Sequence, residues 1–582
     1  MLRYKYIYQI SLIIFLAIST NTYSQQETVW FDGAARSFFT RDFLDKDINL
    51  VETTPRNISN GYNLLDLNTH INPIDDFEIF SQLRIRNTFG DFFGSGTTID
   101  VRQLTASGVI NKKVKFSIGD IFLNQSRFTL HNSQNEMEYF FSEDFSSYRD
   151  IICYENFYFD DRWRMQGIQF DFSYNFDRFL KSLEYDFFIT RPRGSSAISE
   201  SLYLSDLLMA GGSMILDLNH GLKMSTSYIN TFEVPSTGTT NISIRNPVYH
   251  SSISHDFGFS ESLFTQVLEF GFSTRHWLES SAFEDINNEI NSSEGMFLDY
   301  CGTYLDKDST LELSLGYRYV DPNFRSSGAQ TRRLNFNSDV SVYPEYNNLS
   351  SSREISLFDI MTDENIYNQE MTTTLSGFNP AYSNVLPYGD ATPNRSGVFA
   401  SGRYVSPTKN IVSNINAGLY SEVIGQGTEN LRSFSNFNAD LKFNFHQIFS
   451  GIKKTTFTVS YYEEKTTREG NDIETINLRS NQISANLNVG ISNNFIGQLG
   501  FKNLSAVGNE ILNNRDEFGV IDGYDVIDFN QSDQILNTGI LYKFKENVYA
   551  NLQYTLWGVD FNSDVMNDYN FNRFFFVLSV KI

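Results

Sequence analysis

The feature that most constrains this chain is an alternation of period two, repeated along most of its length. From Ile168, the residues Ile168, Phe170, Phe172, Tyr174 and Phe176 are interleaved with Gln169, Asp171, Ser173 and Asn175. Leu311, Leu313, Leu315, Tyr317 and Tyr319 alternate with Glu312, Ser314, Gly316 and Arg318, and Val548, Ala550, Leu552, Tyr554 and Leu556 with Tyr549, Asn551, Gln553 and Thr555. A β-strand turns successive side chains to opposite faces, so each segment has one greasy face and one wet face. The run Phe437, Ala439, Leu441, Phe443 and Phe445 is opposed by Asn438, Asp440, Lys442, Asn444 and His446. A lysine on the lipid face at the bilayer midplane costs about 2–4 kcal/mol, so the second row must face water. Segments of about ten residues with this pattern are the signature of a transmembrane β-barrel wall.

The N-terminus supplies the route to such a membrane. Arg3 and Lys5 precede an apolar run from Ile10 to Ile18 and small polar residues to Ser24, which reads as a secretory signal over residues 1–24, with the mature chain at 25–582. The apolar run is about half the length a membrane-spanning helix needs. No second aliphatic run follows, and the mean hydropathy is negative. Composition then separates the outer membrane from the periplasm: 53 Phe and 32 Tyr against 11 Pro favour strands and aromatic interface girdles. Loss of Arg3 and Lys5 with the signal takes the net charge from −24 to about −26, which excludes nucleic acid as a partner. Outer-membrane lipid and lipopolysaccharide, with the barrel-assembly machinery during biogenesis, are the partners expected. Cys153 and Cys301 are far apart in sequence and imply neither a metal site nor a disulfide.

Counting the alternating segments gives a closed, antiparallel all-β barrel of about 22 strands, within 20–24. The first falls near 27–41 and the last at 570–582, with others including 113–128, 247–257, 263–276, 433–448, 494–505 and 533–545. Connections alternate between short ones, such as Asn111 to Lys113, Asp306 to Ser309 and Ser450 to Lys453, and long ones near 129–162, 277–295, 321–395 and 506–532. Short periplasmic turns and long outer loops produce that inequality, whereas a soluble sandwich would have similar turns at both ends. Between Ser480 and Ile483 the apolar parity flips, as at a bulge or the membrane boundary. The last strand places Phe574, Phe576, Leu578, Val580 and Ile582 on one face, the terminal pattern common to outer-membrane barrels.

A barrel of that width needs its lumen filled. The first strand follows the signal so closely that no separate plug or energy-coupling box precedes it, which argues against a TonB-dependent transporter. The longest connection, 321–395, carries Leu334, Phe336, Ile355, Leu357 and Phe358, a helical pattern across Ser352 to Gln369, and Pro380, Pro387 and Pro393 beside Tyr382 and Tyr388. It reads as an ordered loop that constricts or caps the pore. Inward parity makes Arg36, Arg84, Arg86, Glu269, Arg275, Arg318, Asp440, Lys442, His446 and Arg573 lumen-lining candidates, with Asp359, Asp363 and Glu364 of the long loop as acids for the basic patch. No catalytic constellation and no cofactor motif stand out, so no enzyme is expected.

Three segments, GDIFLNQSRFTL from Gly119, RYVDPNFRSSGAQTRRLNF from Arg318 and NPAYSNVLPYGDATPNR from Asn379, resemble parts of a family of large Gram-negative outer-membrane β-barrel proteins of unassigned function. The resemblance implies the barrel and brings no chemistry with it. The function expected is a plug-less pore for small hydrophilic solutes or an oligosaccharide, constricted by 321–395. The rival is a non-conducting barrel that serves surface display or secretion machinery through its loops.

Overall fold

The structure, a computed structural model, describes residues 28–44, 57–90, 96–132, 146–158, 160–177, 179–194, 196–197, 203–204, 206–234, 240–259, 261–281, 287–330, 371–449, 451, 453–471, 473–515, 521–561 and 568–581. Twenty-two strands form one antiparallel sheet in which each pairs with its sequence neighbours. The first strand, Val29–Leu44, pairs with the last, Tyr569–Lys581, from Ala34 against Lys581 to Leu44 against Phe571, which closes the barrel. Closure removes every sheet edge, so all backbone groups in the hydrocarbon layer are satisfied within the wall. No described helix is long and apolar enough to cross a membrane.

The wall is inverted relative to a soluble protein. Within the single strand Leu311–Val320, Leu315 is 66% exposed and Arg318 is 3% exposed. Phe170, Phe187, Leu419 and Phe437 likewise face outward, while Asp66, Asp299, Asp440 and Asn537 are buried inside. An apolar exterior around a polar interior is stable only in lipid, which places the chain in the outer membrane.

Several boundaries differ from the sequence reading. Strands Thr240–Phe259 and Ser262–Ser281, and Phe495–Arg515 and Ile521–Lys545, run well past the alternating segments. The connections expected at 277–295 and 506–532 are largely these extensions, which continue pairing as hairpins. Beyond the hydrocarbon both faces are wet, so the alternation fades although the backbone ladder continues. The strand expected over 113–128 ends at Leu123, because a turn over 126–129, with Gln125 N–H donating to Leu130 O at 2.8 Å, folds the chain inward. Strand 433–448 ends at Asn444, and Phe445–Ile448 is a helical turn. Register through Ile476–Gly490 is continuous on both sides, so the parity flip there is not a bulge. Ile476 and Leu478 simply face inward near the rim and are buried there. The signal, the helical pattern across 352–369 and the acids Asp359, Asp363 and Glu364 lie outside the described residues.

Candidate functional site

The lumen is occupied by the barrel's own loops. Residues 124–132 fold inward after the strand Val114–Leu123, and their Arg127 reaches three carboxylates. Its Nη2 donates to Glu269 Oε1 and Asp299 Oδ1, both at 2.7 Å, and its Nη1 to Asp390 Oδ2 at 2.8 Å. Arg318 bridges the same acids, from Nε to Asp299 Oδ2 at 2.7 Å and from Nη1 to Asp390 Oδ1 at 2.5 Å. On the far side of Glu269 lies His250, with Nε2 3.1 Å from Glu269 Oε2 and Nδ1 3.0 Å from Ser227 Oγ. Two guanidinium groups thus join wall residues Glu269 and Asp299 to Asp390 of the long loop. Asp390 is a third exposed; its setting pushes its pKa up, but the Arg318 and Arg127 charges outweigh that and hold it well below the carboxylate range. Its position depends on the one-turn helix Gly389–Ala391, where Gly389 takes φ 72°.

Backbone and aromatic contacts lock these loops to one another. Ser326 Oγ donates to Thr129 O at 3.0 Å, His131 N–H to Gly328 O at 2.8 Å, Trp163 Nε1 to Gly328 O at 3.0 Å, and Gln330 Nε2 to Ala391 O at 2.7 Å. A Cβ on Gly328 would lie 2.5 Å from Thr129 O, so only glycine allows this approach. Phe128 stacks on Phe297 with centroids 4.0 Å apart, and Phe324 meets the same ring edge-on at 5.1 Å. The described parts of the three segments singled out in the sequence therefore pack together. Further along, Asn384 ties residues 371–394 to the later strands Thr455–Arg468 and Phe495–Arg515, from its N–H to Glu464 and from Nδ2 to Thr466 and Glu510, at 2.6, 2.8 and 2.6 Å.

A second inward element follows at α1 (Ser146–Glu155). Its Glu155 pairs with Arg36 and Arg84 of the first and third strands, and Arg84 also grips Asp66 through Nε and Nη2 at 2.8 and 2.7 Å. Tyr154 donates to Asp66 Oδ2 at 2.6 Å, and Arg102 stacks on the Tyr154 ring at 4.3 Å. Burial, reinforced by that bond to Asp66, pushes the Tyr154 hydroxyl up to about 12. Asn551 Nδ2 donates to Ser147 Oγ at 2.7 Å, and Ile151 packs among Phe38, Tyr62, Phe575 and Val577, so α1 sits across the closing seam.

The inward parity of the sequence candidates translates into the following positions. Arg36, Arg84 and Arg318 are buried and paired, and Arg573 is half-buried and holds Asp42 through two bonds at 2.7 and 2.8 Å across the seam. Arg86 lies over the Tyr62 ring at 4.2 Å, and Arg275 is buried against Trp277 at 4.3 Å. Asp440 is buried in the lumen and Lys442 half-buried. His446 departs from its expected lumen strand: it sits in the helical turn after Asn444, with Nδ1 3.4 Å from Thr455 O. The described acids that meet Arg36 and Arg318 are Glu155, Asp299 and Asp390. Glu155 and Asp390 were not singled out in the sequence because neither lies on a strand, where parity assigns a face, and Arg127 fell at the end of the expected strand 113–128, where the alternation has already stopped. The only signal available for Arg127 and Asp390 was their place within the resembling segments.

A closed barrel with a hydrocarbon-facing exterior and a loop-filled polar lumen defines the chain as a large outer-membrane β-barrel protein. Among solved structures it is similar to the ferric citrate transporter FecA in its unliganded form, with TM-score 0.50 and 8% identity over 95% of this chain and 79% of that one. It also matches OccAB4 of Acinetobacter baumannii, at TM-score 0.34 and 10% identity over 97% and 100%. A BenF-like porin from Pseudomonas fluorescens Pf-5 matches at 0.32 and 8% over 96% and 99%. At these identities the likeness to FecA is one of fold. No protein-family model and no curated protein sequence matches the chain.

Proposed function

We propose that this barrel is a pore for small hydrophilic solutes whose constriction is built from its own inward loops, chiefly residues 124–132, 321–330 and 371–394. The observation that carries this reading is the meeting of Arg127 from one loop with Asp390 from the other, inside a ring closed by the wall residues Glu269, Asp299 and Arg318. Charges placed at a narrowing set which solutes pass, and sharing Asp299 and Asp390 between two guanidinium groups offsets the cost of burying them. The test is conductance of the purified barrel in planar bilayers, before and after deletion of residues 330–390. Steps that grow after the deletion support a loop-constricted pore. A barrel that stays silent in both forms and co-purifies with a stoichiometric protein is instead the non-conducting interaction barrel.

A further inference from the structure

The short turns mark the periplasmic end, and below the loop contacts the wall from Ile411–Ser421 to Val548–Asp560 changes character. Its inward row is dominated by amides and hydroxyls. Asn414 Nδ2, Ser460 Oγ, Ser484 Oγ, Gln498 Oε1, Asn537 Nδ2 and Asn551 Oδ1 are each buried and have no hydrogen-bond partner in the protein. All six residues are at most 5% exposed. Three of them share one row: Asn414 faces Asp440, which faces Ser460, which faces Ser484, on four successive strands. Asn537 and Asn551 are also fixed in orientation, since the Asn537 Oδ1 accepts from Thr555 Oγ1 at 2.8 Å and the Asn551 Nδ2 is spent on Ser147. That leaves the other atom of each amide directed elsewhere.

Buried polar groups are almost always satisfied, so a field of them calls for a hydrogen-bonding occupant. These six atoms are uncharged and include donors, acceptors and hydroxyls that are both. Charges in the same row are of opposite sign, Asp440 and, opposite Ser484, Lys502, so the strip has no preference for one ionic sign. Neighbouring strands are about 4.8 Å apart, a spacing that the ring hydroxyls of a sugar can follow from strand to strand. We infer that this strip is a binding track for a neutral polyhydroxylated solute, an oligosaccharide, an inference that rests on the pore reading for its direction of travel.

The probe is maltohexaose, compared with the anionic hexagalacturonate and the zwitterionic hexaglycine, each titrated calorimetrically against the full-length barrel in detergent. Saturable binding of maltohexaose is expected, at least tenfold tighter than either comparison and weakened at least tenfold by Ser460→Ala with Asn537→Leu. Equal or tighter binding of the charged or peptide hexamer overturns the inference, and so does the absence of maltohexaose binding to the unaltered barrel, which would mean that the strip holds water only. The unaltered protein decides this even if the variant does not fold. Proteoliposome flux separates the two readings: ion flux without maltohexaose binding sinks the track and spares the pore, whereas binding without any flux does the reverse.

Discussion

The charged cluster around Arg127 and the amide strip of the later strands line one lumen and use opposite strategies. In the cluster Asp299 and Asp390 each meet both Arg127 and Arg318, so the loops are held by shared, directional ion pairs. In the strip the described inward elements touch the outer rim, through Asn384 on Glu464 and Glu510, and one end, through Ser147 on Asn551, and side chains between them keep unpaired atoms. The contrast teaches that burial alone does not identify a structural residue. A buried charge that has its partners is fastening the chain, while a buried neutral group without one is left for something that comes and goes.

The comparison breaks most sharply at Arg318. Arg318→Met leaves Asp299, 1% exposed, with Arg127 alone, and breaking a buried pair from one side costs about 3–5 kcal/mol. Urea unfolding of the barrel in lipid vesicles should show a loss of that size, or no folded barrel; a change below about 1 kcal/mol would show that the cluster holds nothing. Glu155→Gln should cost less, about 1–3 kcal/mol, because Arg84 keeps both of its bonds to Asp66. Its readout is local: hydrogen exchange across α1, Ser146–Glu155, should quicken while the wall strands stay protected.

Acid tests the cluster without a mutation. The Asp390 carboxyl is held below its ordinary value, chiefly by Arg318 and Arg127 against the opposing effect of burial. A depressed pKa contributes stability that is fully present above the unfolded value of about 4 and is lost as pH falls below it. The loops should therefore stay latched from pH 7 to pH 5 and loosen only below about pH 4. Conductance that rises already near pH 6 would show that Asp390 is not the group that holds the latch. In Asp390→Asn the acid-dependent part of the opening should be smaller.

How much of this was legible in the sequence follows from what lipid demands. Phe437 to Lys442 announced their faces because hydrocarbon tolerates no charge on the outer row, and Arg36, Arg84 and Arg318 are buried. Where that demand stops, so does legibility: the outer hairpin beyond Trp277 is held by backbone pairing, which any residues can supply. Residues 124–128, Asn124, Gln125, Ser126, Arg127 and Phe128, carry no alternation, and there the chain has already turned inward. The partners of the lumen arginines were illegible for the same reason, since Glu155 and Asp390 lie on loops whose direction no period encodes. Asp390 also depends on a left-handed Gly389 that reads in sequence as an ordinary turn.

The smallest expected effect sharpens the contrast furthest. Ser484 is 1% exposed and its hydroxyl is unpaired, so Ser484→Ala removes a desolvated polar group and leaves no partner behind. The stability of the barrel should change by less than about 0.5 kcal/mol, or rise slightly, because replacing an unsatisfied polar group by an apolar one of similar shape is nearly neutral. The same truncation at a group that fastens the chain would destabilise it. A loss above about 1.5 kcal/mol in vesicle unfolding would therefore mean that Ser484 has a bonded partner in the folded barrel. In that case the two regions would differ in charge alone, and the strip would be one more fastening.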